Sequence, residues 1–231
     1  MRIRRTSVLT ALALLLPLTC LAPAPSAGAA PGAAPAVTGA EIPNCYASDP
    51  KCRFGPIALP EEESLRKLLV GYQRTGGLGA GKVFLDTYWD PNRKNHEGQV
   101  AGGWRYPGGN GCHLDDDGST GEHRVTVAKN RELDRFGSLR GAYLATGGTP
   151  FARRSMPPTA LNAPVEYRRF KVLKPFDAYE CTTAPYFNQP GGGTQQRLST
   201  AFAEPDPPQE DKDVLRWLVD HQYLKVIEKL P

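Results

Sequence analysis

Glycine and proline divide the second half of the chain into short segments, which limits the kind of fold that it can form. The 231 residues include 24 glycines and 22 prolines, well above average use. After residue 130, strand-like runs at 142–145, 167–173 and 196–202 alternate with turns rich in these two residues. Because 40% of the residues are still hydrophobic, we expect a compact α+β fold. It should have a small mixed or antiparallel β-sheet core and a few short helices.

Hydrophobic periodicity predicts where the helices and some strands lie. In "EEESLRKLLVGYQ", residues 61–73, apolar side chains recur at i, i+3, i+4 and i+7 behind an acidic first turn. The segment "DKDVLRWLVDHQYL", residues 211–224, also places apolar side chains on one helical face. "KVFLDTYW", residues 82–89, is predicted as another short helix, with a strand as the alternative. "RVTVA" (124–128) and "YLKVI" (223–227) are predicted strands.

The first 29 residues have the features of a signal peptide. The basic "MRIRR" precedes an apolar stretch too short to span a bilayer, and "AGA" at 27–29 supplies small residues for cleavage. We therefore expect a secreted, extracellular protein with a disordered linker at 30–40. Removal of the three leader arginines lowers the Lys and Arg count from 28 to 25, against 24 acids. A nearly neutral mature chain lacks the charge that binding to nucleic acid or anionic membranes needs.

Cleavage at that position also leaves an even number of cysteines: Cys45, Cys52, Cys112 and Cys181. In an exported chain this implies disulfides, and four cysteines allow three connectivities. We expect Cys45–Cys52, which closes a short loop, and Cys112–Cys181, which ties the middle of the chain to a later segment. Zinc is disfavoured because no C-x-x-C pair occurs. Calcium in "HLDDDGSTGEH" is disfavoured because two required carboxylate positions are not acidic, so no metal is expected.

No familiar hydrolase motif occurs, since the chain has no G-x-S-x-G elbow, H-E-x-x-H or Walker loop. Three unusual segments stand out instead: "LDRFGSLRGAYL" (133–144), "GGTPFARRSMPP" (147–158) and "APYFNQPGGGTQ" (184–195). Taken alone, each segment is typical of a purely structural feature. These features are a surface arginine beside a core ring, a rigid exit from a strand and a flexible hairpin. Together they offer arginines for phosphate oxygens, aromatic faces for a base and glycines for close backbone approach. That combination suits a nucleotide with a diphosphate.

In this order and spacing, the three segments resemble the tuberculosis necrotizing toxin (TNT) domain family of NAD glycohydrolases. The resemblance covers about residues 130–228. The part from about residue 45 is similar to the same region of secreted fungal surface NADases. The resemblance implies a TNT-like catalytic domain at 130–231, after an N-terminal helical and loop region at 41–129 that carries a disulfide. It also implies that the protein cleaves NAD between nicotinamide and ribose, with NADP as a candidate second substrate. NAD is therefore a substrate, and no cofactor is expected.

The matching motifs imply the site residues one by one. The expected catalytic residues are Arg135, Tyr143 and Gln195, from the DRFG motif, the tyrosine eight residues on and the glutamine after the glycine loop. The expected substrate-binding residues are Phe136, Arg154, Phe187, Gly192 and Gly193. Arg135 and Arg154 are assigned to the diphosphate. Gln195 should face the nicotinamide ribose, whereas Gln196 should point away from it.

One position departs from the family pattern. The toxin has an active-site histidine before a "Y-x-V-L-K-P" strand, whereas this chain has "EYRRFKVLKP", with Arg168 at the nearest position and no histidine nearby. The reaction is feasible without an imidazole. The nicotinamide of NAD is already a cationic leaving group and needs no general acid.

Two alternatives to a glycohydrolase stay open. An ADP-ribosyl transferase or cyclase would use the same substrate, although no Glu-x-Glu of the kind that transferases often carry follows the motif region. A degenerate enzyme that acts as a secreted binding module is the second. The expected partner is the small molecule NAD. A homodimer and an immunity protein are candidate protein partners.

Overall fold

The computed structural model describes residues 50–77 and 81–230. The predicted signal peptide, the predicted linker and Cys45, the expected partner of Cys52, lie outside these residues. The described residues belong to one compact unit, within which the division at residue 130 stays a prediction. In these ranges no helix is long and apolar enough to cross a membrane.

The main element of the fold is a curled antiparallel sheet of seven strands. The strands of the structure are β1 (Trp89–Asp90), β2 (Gly103–Trp104), β3 (His123–Val127), β4 (Glu132–Phe136), β5 (Tyr143–Thr146), β6 (Tyr167–Val172), β7 (Phe176–Thr182), β8 (Thr194–Arg197) and β9 (Leu224–Lys229). Their order in the large sheet is β3-β7-β8-β5-β4-β6-β9, and every neighbouring pair is antiparallel. β1 and β2 form a separate antiparallel pair. The expected α+β class with a small antiparallel sheet is confirmed.

Among the described residues, three short helices accompany the sheet, and all three were predicted. They are α1 (Glu63–Leu68), α2 (Gly81–Tyr88) and α3 (Val214–Asp220). The alternative of a strand for "KVFLDTYW" is excluded up to Tyr88, after which the chain enters β1. Several single turns of 3-10 helix connect these elements, including Gly109–Gly111, Phe151–Arg153 and Pro158–Leu161.

β4 and β7 of the large sheet and the short pair β1 and β2 were not predicted, and one predicted strand has the wrong extent. β4 and β7 each contain a partnered aspartate, Asp134 and Asp177, which interrupts the apolar pattern that identifies strands. The strand expected at 196–202 ends at Arg197. The Ser199 hydroxyl then accepts a hydrogen bond from the backbone N–H of Ala201 and caps a 3-10 turn.

The apolar side chains form three clusters that fix the sheet and its loops. The first packs α3 against the sheet and includes Leu133, Leu144, Phe170, Leu215 and Leu218. The second packs α1 against other residues of the sheet and its loops, including Phe136, Phe151 and Tyr167. The third is aromatic, with Phe84, Trp89, Trp104 and Phe187. Burial of each large side chain contributes about 1.5–3 kcal/mol, so these clusters hold the adjacent loops firmly.

The predicted disulfide between Cys112 and Cys181 is present. It joins the chain just after the Gly109–Gly111 turn to β7, across 69 residues of sequence. Cys112 also forms a backbone bridge with Thr183. The Gly109–Gly111 turn is therefore fixed next to the strands that carry the motif residues.

Candidate active site

A cavity of about 730 Å³ lies where the three sequence segments meet. Its volume falls within the roughly 300–1,000 Å³ of small-molecule sites. The predicted residues Arg135, Phe136, Tyr143, Arg154 and Gln195 all line it. Two sets of residues form most of its surface. The strand wall consists of 134–136, 143–145 and 194–195, and the loop wall consists of Thr149 and 153–160 except Pro158.

The register of three strands builds the strand wall. Asp134 of β4 pairs with Ala145 of β5, and Ala145 pairs with Gln195 of β8. These three residues therefore lie side by side in one row across the sheet and share a face. Ala145 has a small side chain, so the space between Asp134 and Gln195 stays open to the cavity.

Gln195 lines the cavity, and a hydrogen bond fixes the orientation of its amide. Its Nε2 donates to the backbone carbonyl of Asn110 at 2.9 Å, and lies 3.8 Å from the Cys181 sulfur. Because a carbonyl can only accept, this contact assigns the nitrogen and leaves Oε1 as the free acceptor. No described residue donates to that Oε1. The disulfide fixes the segment that bears the Asn110 carbonyl.

Gln196 points to the other side of the sheet. Its side chain is fully buried, and its Nε2 donates to Glu180 Oε2 at 2.8 Å. It does not line the cavity. Adjacent residues of a strand face opposite sides, so only the first glutamine of the pair can reach a ligand.

Arg135 is charged and desolvated and makes no ion pair within the described part of the chain. It donates from Nε to the carbonyl of Ser138 at 2.9 Å and from Nη1 to that of Tyr143 at 2.8 Å. Burial, followed by the neighbouring charge of Arg168, lowers the pKa of Arg135. An arginine keeps its proton despite such a shift, and no described carboxylate forms an ion pair with Arg135, so its charge favours an anionic ligand.

Tyr143 lies on the strand wall with 40% of its surface exposed. Burial raises the pKa of its phenol, and the nearby charge of Arg197 opposes that shift in part. The phenol is therefore neutral at physiological pH and can both donate and accept a hydrogen bond.

Arg154 is placed differently from the expectation that it binds a diphosphate. Its side chain is only 4% exposed and forms two hydrogen bonds with Asp134, at 2.6 and 2.9 Å. Its Nε donates to the Thr149 carbonyl at 2.9 Å, and its guanidinium lies over the Phe136 ring. The structure therefore uses this charge to compensate a buried aspartate.

Asp134 is fully buried, and its carboxylate accepts hydrogen bonds from three residues. Besides Arg154, it accepts from the Tyr167 hydroxyl at 2.9 Å and from the backbone N–H of Gly148 at 3.0 Å. Burial and the adjacent carboxylate raise the pKa of Tyr167, which stays a neutral donor. These contacts tie the strand wall to the loop wall.

The structure does not bring three of the expected substrate-binding residues to the cavity. Phe187 is 1% exposed and packs with Phe84 and Trp104 in the aromatic cluster. Gly192 and Gly193 do not line the cavity either. A Cβ on Gly193 would collide with the Arg153 carbonyl oxygen and meet the Thr149 Cγ2 at 2.8 Å. The close approach at Gly193 is thus to the protein backbone.

Several cavity residues were missed in the sequence, including Arg153 and Tyr106. Arg153 lines the cavity with an exposed side chain, directly before the arginine that was predicted. Tyr106 also lines it and is 56% exposed, whereas the expected ring of Phe136 is 3% exposed. The arginine pair at 153–154 and the tyrosine in "GGWRYP" were visible in the sequence. Nothing in their spacing indicates which side chain turns outward.

No histidine of the described chain lines the cavity, and Asp134 is its one described carboxylate. Arg168 is buried, donates to the Gly137 carbonyl and lies 3.7 Å from Glu166, and it does not line the cavity. Among the residues that the structure describes, no group of three His, Cys, Asp or Glu side chains could hold a metal ion.

Comparisons with known proteins agree with the resemblance seen in the sequence. The model of the family described as tuberculosis necrotizing toxin (TNT) matches residues 126–227. The conidial surface nicotinamide adenine dinucleotide glycohydrolase of Aspergillus fumigatus is 36% identical over 148 residues, which cover 62% of this chain and 60% of that protein. The chain therefore matches less than two thirds of the length of this curated relative. The predicted resemblance to the TNT family is confirmed over the matched residues.

A solved structure of tuberculosis necrotizing toxin complexed with its immunity factor is also similar. The TM-score is 0.47 at 20% identity, over 78% of this chain and 88% of the toxin chain.

Proposed function

We propose that the protein is a secreted NAD glycohydrolase, which cleaves the nicotinamide–ribose bond of NAD and releases nicotinamide and ADP-ribose. The proposal is carried by one observation. Three strands bring the motif residues Arg135, Tyr143 and Gln195 into one cavity of ligand size. The activity named for the fungal relative supports this choice over other nucleotide chemistry.

The charge of the cavity suits the diphosphate of NAD. Three arginines and one aspartate line it, and Asp134 compensates Arg154. The remaining positive charge comes from Arg135 and Arg153. Guanidinium groups offer planar pairs of donors that match phosphate oxygens.

The reaction depends more on stabilising the positive charge that develops on the ribose than on proton transfer. The bond from the ribose C1′ to the pyridinium nitrogen breaks, and its electron pair leaves with neutral nicotinamide. The ribose becomes oxocarbenium-like, water adds to C1′, and one proton passes to solvent. Oε1 of Gln195 would stabilise the developing charge or orient the attacking water. The Asn110 carbonyl holds this amide dipole in place before the substrate binds, which is the preorganisation that favours catalysis.

The surroundings of Asp134 support a mechanism without a protein base. Its carboxylate already accepts four hydrogen bonds, from Arg154, Tyr167 and Gly148, and Arg154 balances its charge, which disfavours a role as a general base. Addition of water to an oxocarbenium-like carbon requires little help from a base. Tyr143 would then contact a ribose hydroxyl through its neutral phenol.

The remaining parts of the proposal concern the setting of the reaction. NAD is the substrate and no cofactor takes part. A leader at 1–29 would direct the chain out of the cell, as the surface location in the name of the fungal relative suggests. A toxin role with an immunity protein, as in the solved TNT complex, and a homodimer are further proposals.

The proposal is tested with the mature chain, residues 30–231, incubated with NAD and followed by chromatography of the products. Equal amounts of nicotinamide and free ADP-ribose are expected. Arg135→Ala should slow nicotinamide release roughly 10- to 100-fold, because that factor corresponds to the loss of one hydrogen bond to a charged group. Arg216→Ala is the matched control, because Arg216 is exposed on α3 and does not line the cavity.

The products also distinguish the alternatives. Absence of nicotinamide release from the wild type refutes an enzyme that acts on NAD and leaves a binding module. Cyclic ADP-ribose or ADP-ribosylated protein, in place of free ADP-ribose, identifies a cyclase or a transferase.

A further inference from the structure

Three arginines line the cavity, and they differ in what their guanidinium groups contact. Arg154 is buried against Asp134, and Arg135 donates to the backbone carbonyls of Ser138 and Tyr143. The side chain of Arg153 is exposed and has no hydrogen-bond or ion-pair partner in the described ranges. Arg153 therefore offers its full set of donors to a ligand.

The backbone of Arg153 is anchored, although its side chain is not. Its N–H donates to the Pro150 carbonyl at 2.9 Å within the 3-10 turn. Its carbonyl accepts from the Thr183 hydroxyl at 2.6 Å and from the Gly193 N–H at 3.0 Å. Thr183 is buried, and its hydroxyl also accepts from Gly193 at 3.0 Å. The Cα of Arg153 thus has a fixed position at the cavity surface.

The third glycine of "PGGG" makes this anchor possible. Any side chain on Gly193 would collide with the Arg153 carbonyl oxygen, so the two backbones could not meet. The glycine loop then acts on the cavity indirectly. It holds the turn from which Arg153 extends.

We propose that Arg153 is the arginine that binds the diphosphate of the substrate, and that the glycine loop positions it for this contact. The inference rests on the proposed function, since it names the ligand group of the same cavity. The charge of Arg154 is balanced by an aspartate, whereas that of Arg153 is not, so a phosphate oxygen gains more from the latter. Arg153 and Arg135 come from different walls, and a dinucleotide between them would meet positive charge on both.

The experiment compares Arg153→Gln with the wild type and with Arg216→Gln as the control for an exposed arginine. The readouts are the KM for NAD and the inhibition constants of ADP-ribose and nicotinamide, of which only the first inhibitor carries a diphosphate. In Arg153→Gln the KM for NAD and the constant for ADP-ribose should rise roughly 10- to 100-fold. The constant for nicotinamide and kcat should stay within about twofold of the wild type, because a diphosphate contact acts on binding.

Unchanged constants for NAD and ADP-ribose in Arg153→Gln would overturn the inference and leave the glycohydrolase intact. An equal rise in the inhibition constant of nicotinamide would also overturn the inference, since it would indicate that the substitution disturbs the whole cavity. If the wild type does not hydrolyse NAD, calorimetric titration with ADP-ribose separates the proposed diphosphate site from the proposed glycohydrolase activity. Binding that Arg153→Gln weakens supports the diphosphate site alone, and absence of binding to the wild type refutes both.

Discussion

The strand wall and the loop wall of the cavity are built by different rules. In the strand wall, the pairing of β4, β5 and β8 places Asp134, Ala145 and Gln195 in one row. At Gln195 and Gln196 the pleat decides which neighbour faces the cavity, whereas near the end of β4 the neighbours Asp134 and Arg135 both line it. In the loop wall no period applies. Arg153 ends a 3-10 turn and Arg154 directly follows it, and tertiary contacts alone turn one outward and one inward.

The difference shows where a sequence motif can be interpreted directly. A side chain on a strand keeps its direction as long as the register holds. A side chain in a turn depends on partners distant in sequence, here the buried Asp134, which lies 20 residues before Arg154. The two walls should therefore respond differently to substitution.

The largest expected effect separates the two adjacent arginines. Arg154→Ala leaves Asp134 buried without its counter-charge, which should lower the free energy of unfolding by about 3–5 kcal/mol. Arg153→Ala removes an exposed side chain and should change it by no more than about 0.5 kcal/mol. Urea denaturation of both variants measures the contrast. Equal losses of stability would show that the pair is not divided into a buried and a ligand-facing arginine.

The disulfide is expected to have the next largest effect, because it joins the Asn110 segment to the strand wall. Replacing Cys112 and Cys181 with serine opens a loop of 69 residues and should cost about 2–4 kcal/mol. It should also slow nicotinamide release under conditions where the variant is folded, since the Asn110 carbonyl no longer holds Gln195. Circular dichroism with urea and the NAD assay measure the two effects. Full activity in the folded serine variant would argue against a positioning role for this segment.

Two neighbouring glycines provide a smaller test of the loop wall. Gly193→Ala brings a Cβ against the Arg153 carbonyl and should destabilise by about 1–3 kcal/mol while raising the KM for NAD. Gly192→Ala meets no atom within 4 Å, although its φ of +80° makes any Cβ cost about 1–2 kcal/mol. Only the first variant should alter the KM. A raised KM in both would mean that the loop contacts the substrate directly.

The smallest expected effect is that of pH on the strand wall. No described histidine lines the cavity, and burial raises the pKa of Tyr143, which therefore stays protonated beyond the ordinary range of a phenol. The value of kcat/KM should be nearly constant between about pH 6 and pH 9. A steep limb near neutral pH would require an imidazole or a carboxylate that this account does not use.

The sequence was sufficient for the features that depend on local pattern. Periodicity located the three helices of the described residues, alternation located β3, and strand-like runs located β5, β6 and β9. The even cysteine count predicted disulfides, and the expected Cys112–Cys181 bond is present. The motif resemblance selected Arg135, Tyr143 and Gln195, which lie on strands and meet at the cavity.

The missed features depend on contacts across the fold. The strand β4 carries a buried aspartate that only its pairing with Arg154 makes tolerable, so its pattern did not resemble a strand. Phe187 and Gly193 sit in a ligand-like motif, yet one fills the aromatic cluster and the other meets a backbone carbonyl. Local sequence cannot reveal which surface a turn will meet.

The most direct test of the proposed NAD site is kcat for nicotinamide release by Gln195→Ala, with the exposed Gln209→Ala as control. If the fixed Oε1 of Gln195 stabilises the transition state, kcat should fall roughly 10²- to 10³-fold with little change in the urea midpoint. Gln209→Ala should match the wild type. An unchanged kcat in Gln195→Ala would contradict the assignment of this cavity as the site where the nicotinamide–ribose bond is cleaved.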